Sequence, residues 1–218
     1  MLSTPPSSVH PADPAAPIAG EAGDAAPFAR SLPWLLLVGG LLGLVAAFVL
    51  TVEKFALAAD ATYIPSCSIN TVVNCGSVMG TAQASVFGFP NSLLGIAGFA
   101  VVAATGAGLV AGARFARWYW LGVQVGATVA VAFVHWLIVQ SLYEIGALCP
   151  YCMVVWAVTI PIFWYVTLRN LHDGVFTPPV AAAVVTARGN HLLPVTAWVI
   201  GVAALVGYRF WSYWSTLF

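Results

Sequence analysis

Two cysteine pairs, Cys67/Cys75 and Cys149/Cys152, are the residues of this chain whose type and spacing can carry chemistry. The second reads Cys149-Pro150-Tyr151-Cys152, a C-x-x-C at the head of an apolar segment, residues 153–168. A close dithiol at a helix N-terminus suits redox work, because the positive end of the helix favours a thiolate over a thiol. The first pair has a C-x7-C spacing, and alone it reads as a structural staple closing a small loop. A second dithiol on the same face turns it into a candidate carrier, since thiol–disulfide exchange needs an attacking thiolate and access of sulfur to sulfur. Two nested pairs can pass two electrons from water-soluble thiols to an acceptor held in lipid.

Two other uses of four thiols compete. Zinc would take four thiolates tetrahedrally, but structural zinc favours two closely spaced knuckles, and here one gap is seven residues and two apolar segments part the pairs. No metal is expected. Cys-Pro-Tyr-Cys is also the active-site tetrapeptide of glutaredoxins, which are soluble proteins with a strand before the motif. Here a loop precedes it and an apolar segment follows. The tetrapeptide supports dithiol chemistry and leaves the fold open.

The elements that must position these thiols are membrane helices. The chain has 218 residues, 61% hydrophobic and 6% charged, against about a quarter charged in soluble domains. Five stretches, 34–52, 91–112, 118–139, 149–168 and 192–214, match the roughly 20 helical residues that cross about 30 Å of hydrocarbon. Helices satisfy their own peptide groups there, and no short alternating strands of a barrel occur. The expectation is an all-α integral membrane protein. With zero net charge, nothing points to nucleic acid.

Residues 1–32 are rich in Pro and Ala and read as a disordered cytoplasmic tail. A cleaved signal peptide is not expected, because no basic region precedes the first apolar run and that run is of spanning length. The arginines set the orientation: Arg30, Arg114, Arg117, Arg169 and Arg188 inside, Lys54 and Arg209 outside, with the N-terminus cytoplasmic. That places all four cysteines on the outer side, where disulfides persist, and residues 215–218 form an outer C-terminal end.

The membrane domain spans 33–214, with an outer loop over 53–90. Within it Val78, Met79, Ala82, Val86 and Phe89 recur at helical spacing, which suits a short interfacial helix over 76–89. Residues 141–148 form a brief outer loop, and Asn91-Ser92 can cap the second span. Trp118, Tyr119 and Trp120, and Tyr208, Trp211, Tyr213 and Trp214, read as interfacial girdles. Glu53, Lys54 and Glu144 sit at span ends and should face headgroups.

A thiol pair with no metal and no flavin motif needs a diffusible two-electron oxidant, and in a bilayer that is a quinone. A quinone carbonyl wants one or two donors in an apolar pocket. Asn91, at the outer end of span two, is the best-placed donor, with helix capping its alternative role. Trp156, one turn after Cys152, can pack against a ring or against a neighbouring helix. His135 is the only histidine inside a span, and its readings are a functional intramembrane group or a bond to a facing helix.

The ordered combination resembles the vitamin K epoxide reductase (VKOR) family: a C-x7-C loop, the stretch Gly-Phe-Pro-Asn-Ser-Leu-Leu-Gly at 88–95 entering span two, and a late C-x-x-C opening span four. The likeness covers about residues 33–214. The other membrane thiol oxidase family, typified by DsbB, has its C-x-x-C in the first outer loop, so the order here favours VKOR. The resemblance implies a four-helix bundle around a quinone (menaquinone or ubiquinone) with a peripheral fifth helix, in a bacterial plasma membrane. It implies that Cys67 faces a partner, Cys75 attacks toward Cys149, and Cys152 lies next to the quinone. Asn91 matches the family asparagine that bonds a quinone oxygen. Where the vertebrate enzyme has a quinone-contacting tyrosine this chain has Trp156, which lacks a hydroxyl. Many bacterial members carry a fused thioredoxin-like domain; here the expected partner is a separate thioredoxin-fold oxidase of the DsbA kind. The activity implied is a thiol oxidase that supports disulfide formation. Reduction of a quinone epoxide for its own sake, and a non-catalytic membrane subunit with a structural loop disulfide, are the alternatives.

Overall fold

A computed structural model describes residues 30–60, 62–175 and 190–215. Most of the expected tail, the segment with Arg188 and the last three residues lie outside them. Five helices are long and apolar enough to cross a membrane: α1 (Leu32–Ala59), α3 (Asn91–Val110), α4 (Arg117–Val139), α5 (Pro150–His172) and α6 (Leu192–Arg209). Two shorter ones, α2 (Cys75–Met79) and α7 (Trp211–Trp214), complete the order. Among the described residues β-structure is limited to one isolated parallel bridge. The chain is an all-α membrane protein.

Helix α1 packs against α3 and α5, and α5 also carries α4 and α6. Lipid tails are as apolar as Leu, so close packing rather than hydrophobicity joins spans. The α1–α3 seam shows it. A Cβ added to Gly106 would lie 2.2 Å from the Leu37 nitrogen, and one on Gly40 would lie 2.5 Å from the Ala103 nitrogen. Only glycine lets these backbones touch. Polar side chains join the other seams: Gln124 of α4 donates to Thr167 of α5 at 2.9 Å, and the fully buried Asn170 donates to Gln124 Oε1 at 3.1 Å. The fifth span is tied by Trp164 Nε1–H to the carbonyl of its N-cap His191 at 2.9 Å and by Trp198 Nε1–H to His135 Nε2 at 2.9 Å, while His135 Nδ1 meets the Val131 carbonyl at 2.7 Å. Since the indole only donates and the carbonyl only accepts, His135 is the Nδ1–H tautomer joining α4 to α6. The bond to a facing helix is the reading this geometry favours.

Several boundaries differ from expectation. Helix α1 runs seven residues past 52, because nothing after Val52 breaks it before Asp60. Glu53 and Lys54 are therefore helical and turn toward the loop rather than headgroups. The interfacial helix divides into α2 and a 3-10 turn, Ala82–Ser85, with Gly80 ending the first piece. Span three continues beyond Val139 as a π-helical turn, Gln140–Ile145, that ends at Gly146 in the left-handed region (φ 68°), where the sequence suggested loop from 141. Helix α6 stops at Arg209 and breaks at Phe210 before α7. Asn91 and Ser92 do not cap α3; Pro90 precedes it without a side-chain cap. Of the first aromatic cluster only Trp118 (75% exposed) faces outward, for Trp120 (1%) is buried beneath the Arg169 guanidinium, 3.7 Å from its ring centre.

Candidate active site

The four cysteines gather at one end of the bundle. The loop after α1 carries Cys67, bonded to Cys75 at the first position of α2. Asn74 before it accepts the Ser77 N–H at 3.0 Å and so starts α2. Cys149 stands as the N-cap of α5, with Pro150 at the first helical position, where a missing N–H costs nothing. Cys152 falls in the first turn of that helix.

A backbone bridge joins the two cysteine segments. Asn74 N–H donates to the Leu148 carbonyl at 2.9 Å and Leu148 N–H to the Val72 carbonyl at 2.7 Å, around the parallel pair Val73 and Leu148. Each bridging strand leads directly into a cysteine, so the register sets Cys75 beside Cys149. Their sulfurs are 3.1 Å apart. The Sγ atoms of Cys67, Cys75 and Cys149 all lie within 4.8 Å of one another. With Cys67 and Cys75 joined to each other, these sulfurs are arranged for exchange rather than as a set of free thiolates.

Burial separates the four. Cys75 and Cys149 are fully buried, Cys67 is 5% exposed, and Cys152 is half-buried. The loop pair, expected to meet the outside, is shielded in this conformation by the bridge and by its contacts to α1. Cys149 and Cys152 are free thiols. The Cys152 side chain bonds to the Cys149 sulfur and draws the Cys149 thiol below the ordinary value, against the opposing effect of burial.

The other expected residues are placed differently. Asn91 donates from Nδ2 to the Gln83 carbonyl at 2.7 Å and accepts the Val86 N–H at 3.1 Å. It fastens the 3-10 turn to α3, and its amide keeps a second hydrogen. Gln83 reaches across to Gln140 at 3.3 Å. Trp156 is 4% exposed, packed with Val134, Ile138, Val206 and Phe210, and Cys152 borders that cluster. Its indole nitrogen is buried without a hydrogen-bond partner. No hydrogen bond among the described residues joins Asn91 to Trp156 or to a cysteine.

Sequence reasoning missed the bridge and the grip of α1 on the loop. Backbone pairing of two loop segments leaves no side-chain signature. Glu53 is 6% exposed and accepts from Tyr63 and Ser66; an acidic residue just inside a long apolar run was the available signal.

The chain matches the model of the vitamin K epoxide reductase family over residues 34–167. That stretch contains both cysteine pairs, Asn91 and Trp156. No curated relative matches the chain.

Proposed function

The chain belongs to the vitamin K epoxide reductase family, and we propose that it is a membrane thiol oxidase that takes electrons from a thioredoxin-fold partner of the DsbA kind. Family membership brings a quinone-linked thiol redox function; the direction, the partner and the residue roles are our reading. The observation that carries it is the 3.1 Å approach of Cys75 to Cys149, one sulfur from each pair.

The steps balance as follows. A partner thiolate attacks Cys67, the Cys67–Cys75 bond breaks, and Cys75 leaves as a thiolate. The partner's second thiolate then attacks its own half of the mixed disulfide and releases Cys67, so the partner is oxidised by two electrons and the loop pair is reduced. Cys75 next attacks Cys149 of an oxidised Cys149–Cys152 pair, and Cys152 leaves with the electron pair. Cys67 attacks Cys75, restores the loop disulfide and frees Cys149. The pairing found here, a bonded loop with free Cys149 and Cys152, is the state reached at that point. Its buried loop disulfide means that the loop must lift before a partner can exchange with it.

A bound quinone would supply the terminal two-electron acceptor. The residues suit one. A buried indole N–H with no acceptor is costly, about 1–3 kcal/mol, and a carbonyl oxygen near Trp156 would satisfy it. Asn91 offers its second amide hydrogen to another. Trp156 thus gives a donor where the resemblance left a missing hydroxyl. Cys152, at the border of the Trp156 cluster, is the thiol nearest that donor along α5.

Removing one sulfur at a time tests the reading. In a Cys75→Ala variant the loop disulfide cannot form, so a partner thiolate finds no bond to break at Cys67 and the partner should stay reduced. In a Cys149→Ala variant the loop should oxidise one partner equivalent and stop. If both variants oxidise the partner at the parental steady rate while folded, the relay is wrong.

A further inference from the structure

Two neighbouring residues of α1 hold the redox loop from both sides. Glu53 Oε2 accepts the Tyr63 hydroxyl at 2.9 Å, Oε1 accepts the Ser66 hydroxyl at 2.6 Å, and the Ser66 N–H lies 3.3 Å from each oxygen. Ser66 is followed directly by Cys67. Lys54 donates from Nζ to the carbonyl of Met79, the last residue of α2, whose first residue is Cys75. One helix turn therefore grips the limb before Cys67 and the helix after Cys75.

Glu53 is an unusual residue for this place. It is 6% exposed, and among the described residues no lysine or arginine pairs with it. A carboxylate withdrawn from water is retained only where donors satisfy it, and here every donor comes from the loop.

We propose that Glu53 is a positioning residue of the thiol relay, whose carboxylate ties the Tyr63–Ser66 limb to α1 and so keeps Cys75 within bonding reach of Cys149. This rests on the relay reading above. Lys54 does the same for the α2 limb. Glu53 touches no reacting sulfur; it acts through the loop. The same contacts must be released when the loop lifts to meet a partner, so their strength divides the loop between its docked and open positions.

The test measures sulfur apposition without partner or quinone. The full-length chain carrying Cys67→Ala and Cys152→Ala keeps only Cys75 and Cys149. Diamide joins two apposed thiols: the sulfurs lose two electrons and two protons, and diamide becomes the hydrazine. The rate of Cys75–Cys149 bond formation, read by mass spectrometry after proteolysis, is compared with and without Glu53→Ala and Glu53→Gln. Misplacement by about 1 Å can cost about a hundredfold in rate, so Glu53→Ala should slow joining by about tenfold or more. Glu53→Gln keeps an acceptor and lets the hydroxyls turn to suit its amide, so it should stay within about threefold of the parent, since a misplacement of the kind that costs a hundredfold is avoided.

Joining in Glu53→Ala at the parental rate would overturn the proposal. So would a Glu53→Gln variant as slow as Glu53→Ala, because charge rather than position would then matter. If Glu53→Ala does not fold, Tyr63→Phe with Ser66→Ala removes the side-chain donors from the loop side and must show the same slowing. Failure of the four-cysteine chain to oxidise a partner, with joining still slowed by Glu53→Ala in the test chain, would count against the relay and leave the positioning role of Glu53 standing.

Discussion

Cys75 and Cys149 face each other with 3.1 Å between their sulfurs, although 74 residues separate them in the chain. Neither lies on the same helix or loop as the other. What brings them together is a two-bond backbone bridge, Asn74 to Leu148 and Leu148 to Val72, which acts as a register pin between the loop and the start of α5. Both sulfurs are fully buried. In the proposed relay, exchange between the pairs would therefore proceed out of water, and exchange with a partner would need a different loop position.

The Cys149 thiol should titrate below an ordinary thiol because the Cys152 side chain bonds to its sulfur. The Cys149 thiolate forms as the pH climbs through the pKa of the folded chain. Cys152→Ala removes that bond and should move the thiolate absorbance titration to higher pH, whereas Cys152→Ser keeps a donor and should move it less. A titration indifferent to Cys152→Ala would contradict this cause.

Trp156→Phe separates packing from hydrogen bonding. Phenylalanine fills much of the indole's place and removes a buried N–H that has no partner. Without quinone the variant should unfold no more easily than the parent, since an unsatisfied donor costs about 1–3 kcal/mol and its removal offsets the lost ring area. Quinone binding, measured by titration of the purified chain, should weaken by about tenfold, the equivalent of one lost hydrogen bond of about 1.4 kcal/mol. Unchanged quinone affinity would remove Trp156 from the site.

The α1–α3 seam should not tolerate one added methyl. Gly106→Ala puts a Cβ 2.2 Å from the Leu37 nitrogen, and the helices must part; overpacking of this kind costs about 1–3 kcal/mol. Gly126→Ala meets nothing within 4 Å and serves as the control. Thermal unfolding in detergent should show a lowered midpoint for Gly106→Ala alone.

Trp198→Phe should loosen the fifth span without touching the thiols. It leaves His135 Nε2 without its donor, at a cost of about 0.6 kcal/mol, as is typical of intramembrane hydrogen bonds. Hydrogen exchange along α6 should quicken, and the rate of partner oxidation should hold.

Much of this was legible in the sequence, for physical reasons. Five runs of apolar residues can only be spans at that length, and both pairs read as one site because even numbers of crossings return the chain to one face. Cys149 at the head of α5 followed from Pro150 and the apolar run after it. What stayed hidden depends on contacts between segments far apart in the chain. Glu53 looked like a span end because hydropathy falls there, yet helix α1 continues and the loop folds back onto its carboxylate. Residues 141–145 read as loop after a span ending at Val139, yet the backbone keeps winding through Ile145. The sequence offers Asn91 as a cap or a quinone donor; rather than capping α3, its side chain bonds the backbone of Gln83 and Val86, a loop geometry that no spacing rule anticipates.

The central claim is that electrons reach the quinone only through Cys149. The direct measurement adds a reduced thioredoxin-fold dithiol to the purified full-length chain with quinone and follows quinone absorbance and partner thiols together. The parent should reduce one quinone for each partner dithiol, turnover after turnover. Cys149→Ser should consume about one partner dithiol per chain, through the loop disulfide, and reduce no quinone, as expected when one station of an exchange relay is removed. Continued quinone reduction by folded Cys149→Ser would contradict the account.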